Sequence, residues 1–106
     1  MMNMYKLTIG LNDKNTEKQE IETAVAKNIL AKILLNDFGI YAFTMIECEG
    51  VYKMESTGNI VFEKSIRVEI ASDNKIDCIP IISSLKAALN QECIMLEKSE
   101  SDIDFI

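Results

Sequence analysis

The chain has no histidine and no tryptophan, and only one proline and four glycines in 106 residues. Without histidine, serine and cysteine nucleophiles lack their usual base. Ser83, Ser84 and Lys86 stand close in sequence, but on a helix they make no recognised serine–lysine arrangement and read as surface. Without tryptophan to stack a sugar, Glu47 and Glu49, about 7 Å apart on one strand face, read as a solvated pair rather than glycosidase carboxylates. Gly10-Leu11-Asn12-Asp13-Lys14 follows a strand but holds too little glycine for a phosphate cradle. Cys48, Cys78 and Cys93 are odd in number, far apart and without a Cys-x-x-Cys pair, which excludes a disulfide framework and any usual zinc spacing. Buried free thiols are expected. No apolar run approaches the roughly 18 residues of a membrane span, and Met1 to Lys6 shows no basic region leading into an apolar one. The expectation is a cytosolic protein that is not an enzyme, with no catalytic residue, cofactor, metal or membrane contact.

What is present is an ordinary globular composition, 48% hydrophobic and 26% charged, which excludes wholesale disorder and fits one domain over 1–106. The net charge of −6 is uneven: residues 1–37 carry five acids and five bases, residues 38–106 twelve acids and six bases. Such a surface repels phosphate backbones and attracts a protein partner with a basic surface, so direct nucleic-acid binding is not expected.

The strongest local signal is Ile40 to Ile70, two strands joined by Glu55-Ser56-Thr57-Gly58-Asn59. Ile60, Phe62, Ile66, Val68 and Ile70 are apolar at even positions, while Glu63, Ser65, Arg67 and Glu69 are polar at odd ones, the pattern of a half-buried strand. A turn centred on Thr57 places Tyr52 opposite Phe62, Cys48 opposite Ile66 and Ile46 opposite Val68. The other face then pairs Glu47 with Arg67 and Glu49 with Ser65, with Tyr41, Phe43 and Met45 further along. A one-residue slip would reverse the two faces.

Along the rest of the chain, Tyr5, Leu7, Ile9 and Leu11 alternate as a first strand. Thr16 and Gln19 fit a capping box opening a helix to about Asn36. Ile21, Val25, Ile29 and Ile33 form its expected core face, and Gly39 ends it. Leu30 and Leu34 lie on the opposite side and read as a partner or dimer surface. Asp77 reads as the N-cap of a second helix, with Pro80 in its first turn and Ile79, Ile82, Leu85 and Leu89 at helical spacing. Cys93 to Glu97 reads as a short last strand. Residues 99–106 form an acidic and apolar tail, frayed or an extra edge strand. This order gives a ferredoxin-like βαββαβ α+β fold, a four-stranded antiparallel sheet with two helices on one face. An RNA-recognition platform needs paired aromatics and a basic surround, which the expected acidic open face lacks.

Tyr5-Lys6-Leu7-Thr8-Ile9-Gly10-Leu11-Asn12-Asp13-Lys14 running on to Gln19-Glu20-Ile21, and Glu49-Gly50-Val51-Tyr52-Lys53 leading through Gly58-Asn59-Ile60-Val61 to Arg67-Val68-Glu69, resemble small acidic proteins of Gram-positive phages and conjugative elements. Some of these are anti-CRISPR inhibitors of type II CRISPR effector nucleases, and the resemblance covers about two thirds of the chain. It implies a stoichiometric inhibitor that occupies a basic channel meant for guide RNA or DNA. The partner-binding surface expected on that reading is Tyr41, Phe43, Met45, Glu47, Glu49, Glu63, Arg67 and Glu69. The alternative is a small ligand-binding or regulatory module, dimeric through its open sheet face. A third reading is an accessory protein docked through Leu30 and Leu34.

Overall fold

The computed structural model describes residues 1–106. The elements are β1 (Met2–Gly10), α1 (Thr23–Lys32), β2 (Thr44–Lys53), β3 (Ile60–Ser72), α2 (Cys78–Leu89) and β4 (Met95–Ser101). The four strands form one antiparallel sheet in the order β2-β3-β1-β4, with both helices on one face. This is the expected ferredoxin-like arrangement.

The core follows from the alternation in the two central strands. Tyr5, Leu7 and Ile9 of β1 and Ile66, Val68 and Ile70 of β3 are buried against Ala26, Leu30 and Leu34 on the first helical segment and Cys78, Ile81, Leu85 and Leu89 of α2. The Tyr5 hydroxyl accepts the Ile76 N–H at 2.8 Å, so the one polar atom of that side chain is satisfied and ties the segment before α2 to the sheet. Asp77 caps α2 as expected, accepting the Ile79 N–H at 3.1 Å. Asn90 closes α2 in the left-handed conformation. Ile79, however, is exposed and Ile81 takes the core position.

Helix α1 differs from expectation at its start and in its face. Asp13 accepts the N–H groups of Asn15 and Thr16 in a local turn, Asn12 bridges Gln19, and Glu17 sits at φ 61°, a backbone state that no α-helix contains. Thr16 and Gln19 therefore make no capping box. The Thr16 hydroxyl donates to Glu20 Oε1 and the Gln19 amide reaches the Ile21 carbonyl and Thr23 Oγ1. Of the two apolar stripes, the one holding small Ala26 with Leu30 and Leu34 faces the sheet and is fully buried. Leu30 and Leu34 are core, which removes them as a docking face, and Val25 is turned outward. The helix closes in a wider π turn, Ile33–Asp37, and Gly39 at φ 63° ends it in the left-handed region as expected.

The largest departure lies in β2. The ladder runs Met45–Val68, Ile46–Arg67, Glu47–Ile66, Cys48–Ser65, Glu49–Lys64, Gly50–Glu63, Val51–Phe62 and Tyr52–Val61, one residue off the expected register. Lys53 pairs with Ile60, so the loop is Met54 to Asn59, closed by Met54 N–H to the Asn59 carbonyl at 2.9 Å and Gly58 N–H to the Met54 carbonyl at 2.8 Å. An even number of loop residues moves the centre off Thr57 and reverses which side chains of β2 accompany the even row of β3. Met45, Glu47, Glu49 and Val51 stand on the helix side, and Ile46, Cys48, Gly50 and Tyr52 on the open face.

Strand β4 extends to Ser101, three residues into the expected tail, and Asp102–Ile106 has no regular structure. All three cysteines are free, but only Cys78 is buried; Cys48 is half-buried and Cys93 exposed. Burial pushes the Cys78 thiol above its ordinary value. No helix is long and apolar enough to cross a membrane.

The molecule is elongated, 47 × 26 × 24 Å with a radius of gyration of 14.7 Å, against about 13 Å for a compact domain of this size. The cause is β3, whose thirteen residues extend about 43 Å at 3.3 Å per residue. The hairpin end therefore projects past the helices, leaving Val51, Ile60 and Phe62 59%, 66% and 64% exposed.

Candidate functional site

Gly10, at the end of β1, lies beside Ser65 of β3, and on the same open face β2 presents Gly50 opposite Glu63. A methyl at Gly10 would stand 2.5 Å from all three carboxyl atoms of Glu63, so the glycine is the space the carboxylate occupies. Glu63 Oε2 accepts the Asn12 N–H at 2.9 Å, which fixes the carboxylate across the sheet, while Oε1 has no partner within the chain.

The loop after β1 is held equally firmly from the other side. The Gln91 amide donates to the Asn12 carbonyl at 2.8 Å and the Asn90 amide to Asp13 Oδ2 at 2.8 Å. The Lys14 N–H reaches the Asn90 carbonyl at 3.0 Å. The Asn90 amide, with the backbone N–H of Asn15, holds the Asp13 carboxyl below its ordinary value. The left-handed turn that ends α2 and Glu63 of β3 thus grip one loop between them.

Together these groups line a groove of 560 Å³ with Thr8, Ser65 and Tyr52 on the sheet and Asp13, Lys14, Glu17, Glu92 and Cys93 on its loop rim. This is within the usual range for a small-molecule site. Its charge is one-sided: Asp13, Glu17, Glu63 and Glu92 against Lys14 alone. Tyr52 supplies the aromatic face, 43% exposed, and Ser65 a buried hydroxyl. A smaller, mostly apolar hollow of 460 Å³ lies at the opposite end of the sheet, between Phe38–Ala42 and α2, with Asp77 as its one acidic rim group.

Of the residues expected to bind a partner, Glu63, Arg67 and Glu69 stand on the open face, where Glu69 faces Lys6 at 4.0 Å. Glu47 and Arg67 do not pair, since Glu47 lies opposite Ile66 and Arg67 opposite Ile46. Met45, Glu47 and Glu49 point to the helix side, with Met45 packed against the core. Tyr41 and Phe43 precede β2, Tyr41 exposed and Phe43 packed against the core. The eight residues share no single face. Only Glu63 belongs to the groove, and Gly10, Asn12, Tyr52 and Gln91 were missed. The signal that could have found them is Gly10 itself, a glycine within the Tyr5–Leu11 alternation, which marks a close approach.

No protein-family model matches the chain, and no curated protein matches its sequence. Solved structures do share its fold. A phage SAM lyase in complex with S-methyl-5'-thioadenosine superposes with a TM-score of 0.61 at 19% identity, over 93% of this chain and 81% of that one. The phage SAM lyase in its apo state gives 0.58 at 21%, over 92% and 78%. B. subtilis GlnK in complex with ATP gives 0.50 at 18%, over 92% and 84%. The chain is a small α+β protein of the fold these proteins share. That likeness corrects the expectation that the chain is not an enzyme. A phage SAM lyase, an enzyme, is built on the same fold.

Proposed function

We propose that this chain binds S-adenosylmethionine in the Glu63 groove and cleaves it to S-methyl-5'-thioadenosine. The observation that carries the reading is the groove's charge, four carboxylates facing one lysine. Both ligands named for the fold neighbours contain an adenine nucleoside, but S-methyl-5'-thioadenosine is uncharged, and the charge contrast lies between its parent sulfonium and ATP. S-adenosylmethionine carries a sulfonium, an ammonium and a carboxylate and is a net cation, whereas ATP carries a polyphosphate. Unit charges 4 Å apart interact by roughly 1 kcal/mol in bulk water and about 4 kcal/mol near a protein surface. That sum favours a cation beside Glu63 and opposes a polyphosphate there.

The roles follow from the geometry. Glu63 is held by Asn12 with Oε1 left open, and takes the cationic end of the ligand. Tyr52 offers its ring to the adenine. In the cleavage the sulfur keeps both electrons of the broken C–S bond and loses its positive charge, while the substrate's own carboxylate oxygen supplies the electron pair that closes a lactone on the carbon left behind, so no water or oxidant is consumed. A carboxylate beside it therefore serves binding of the substrate more than the transition state. Glu63→Gln is expected to raise the Kd for S-adenosylmethionine at least about tenfold, the equivalent of about 1.4 kcal/mol.

The test is calorimetric titration with S-adenosylmethionine and ATP, together with chromatographic detection of S-methyl-5'-thioadenosine after incubation. The expected result is tighter binding of S-adenosylmethionine than of ATP, and product formation that Glu63→Gln weakens. A folded protein that neither binds nor cleaves S-adenosylmethionine would overturn the reading, and preferential ATP binding would replace it with a nucleotide-sensing module. Inhibition of a type II CRISPR effector is a separate proposal, tested by pull-down of that effector.

A further inference from the structure

We propose that the free edge of β2 pairs antiparallel with the same edge of a second copy, about a twofold axis at Val51, and so joins two sheets into one. The Met54 N–H donates to the Asn59 carbonyl at 2.9 Å, and in an antiparallel ladder bonded and non-bonded pairs alternate. Tyr52 and Gly50 therefore direct their backbone groups at β3, whereas Lys53, Val51 and Glu49 turn theirs outward. None of the backbone bonds outside the ladders reaches those three residues, and β3 is the only neighbour of β2. The edge runs through ten consecutive pairs with neither proline nor bulge, which makes it a template for strand addition. Strand β4, the other edge, presents mainly Glu97, Lys98, Ser99 and Glu100 to solvent, polar groups that keep an edge unpaired.

The side chains select the register. With Val51 opposite Val51 of the second copy, Glu49 stands opposite Lys53 and Gly50 opposite Tyr52. Glu49 then lies between Lys64 of its own β3 and Lys53 of the second copy, so the hairpin's mixed charges alternate in sign across the join. On the same face Val51 and Phe62 are neighbours, 59% and 64% exposed. They meet Val51 and Phe62 of the second copy in one apolar row across four strands. On the open face the Tyr52 ring covers Gly50, where an added methyl would find its nearest heavy atom 3.8 Å away. An aromatic opposite an edge glycine is a favourable cross-strand pair. Moving the axis to Gly50 sets Glu49 against Val51, and moving it to Tyr52 sets Glu49 against Glu55.

The contact is isologous and closes at two copies. Gly50 and Tyr52 both line the Glu63 groove, so each copy also brings its Tyr52 ring to the rim of the other's groove. The pairing itself needs no occupant there, and its failure would leave the S-adenosylmethionine reading standing.

Light scattering coupled to gel filtration over a concentration series, with amide hydrogen exchange followed by NMR at both ends of it, tests the pairing. The expected mass rises from the 12.0 kDa of one chain to twice that value. The amides of Glu49, Val51 and Lys53 should be protected in the larger species and exchange freely in the smaller. Val51→Pro removes an outward N–H and leaves the β2–β3 ladder intact; it is expected to stay at single-chain mass with unchanged circular dichroism. Glu49→Lys and Lys53→Glu each set like charges opposite one another, so each should be monomeric alone, and the two should associate when mixed. Single-chain mass at every concentration, a doubled mass in Val51→Pro, or charge variants that stay apart on mixing would each overturn the proposal.

Discussion

The two strands of the hairpin were read from the same alternation, yet they behave differently. In β3 the apolar row Ile66, Val68 and Ile70 is buried as its sequence predicts. In β2 the apolar row Ile46, Cys48 and Tyr52 faces outward with the open side of the sheet. The difference is position in the sheet. Strand β3 has β1 and β2 on its flanks and helices above it, so a slip would expose several fully buried side chains. Strand β2 is an edge with one neighbour, and only Met45, together with Phe43 before it, reaches the core. Its face is decided by the loop and by those two contacts, not by its own pattern.

The sharpest way to break this comparison is to empty equivalent positions. Ile66→Ala in β3 is expected to cost about 2 to 5 kcal/mol, and Ile46→Ala in β2 less than about 1 kcal/mol, both read as the shift in urea midpoint at constant slope. Equal costs would mean that β2 is as firmly specified as β3.

The glycines offer the next contrast. Gly10→Ala drives a methyl into the Glu63 carboxyl at 2.5 Å, whereas at Gly50 the nearest atom is the Ser65 hydroxyl at 3.8 Å. The first is expected to break the Asn12–Glu63 hydrogen bond at a cost of about 1 to 2 kcal/mol and to weaken S-adenosylmethionine binding in parallel. Gly50→Ala is expected to stay within about 0.5 kcal/mol of the parent. Denaturant melts and ligand titration of both variants check this.

A subtler probe is the loop. One glycine inserted between Ser56 and Thr57 makes the residue count odd, the condition under which the sequence pattern would turn Ile46 inward. Because Phe43 and Met45 already pack on the core, Met45 is expected to remain opposite Val68, at a cost of less than about 1 kcal/mol. Cross-strand nuclear Overhauser contacts between Met45 and Val68 would report it, and contacts between Ile46 and Val68 would show that loop length alone sets the register.

The smallest effect concerns Asp13, outside both strands. Its carboxyl titrates below the ordinary value of 3.8, so the folded state favours the charged form. The stability this contributes is present above the ordinary value and is lost as pH falls through the depressed folded value. The carboxyl is exposed, so the contribution is small. Asp13→Asn is expected to flatten slightly the fall in melting temperature across that acidic range.

What could be read from the chain alone follows the same division. Tyr5 to Leu11, Ile66 to Ile70, the Asp77 cap and the Gly39 stop declare themselves, because each rests on local periodicity or on backbone chemistry within a few residues. The strand order follows from them. Helix α1 began seven residues later than Thr16 and turned its other stripe inward, because Asp13 and Glu17 impose a local turn that competes with capping. The groove was least legible. Glu63 meets Asn12 across 51 positions of sequence and Gln91 meets it across 79, and no local pattern encodes such meetings.

The 47 Å long axis also has a hydrodynamic consequence. A particle nearly twice as long as it is wide tumbles more slowly about its short axes than about its long one. Strand N–H bonds, set across that axis by the run of β3, therefore relax differently from bonds that lie along it. The same asymmetry advances a single chain in gel filtration relative to a sphere of equal mass, so elution volume alone would overcount copies where scattered light would not.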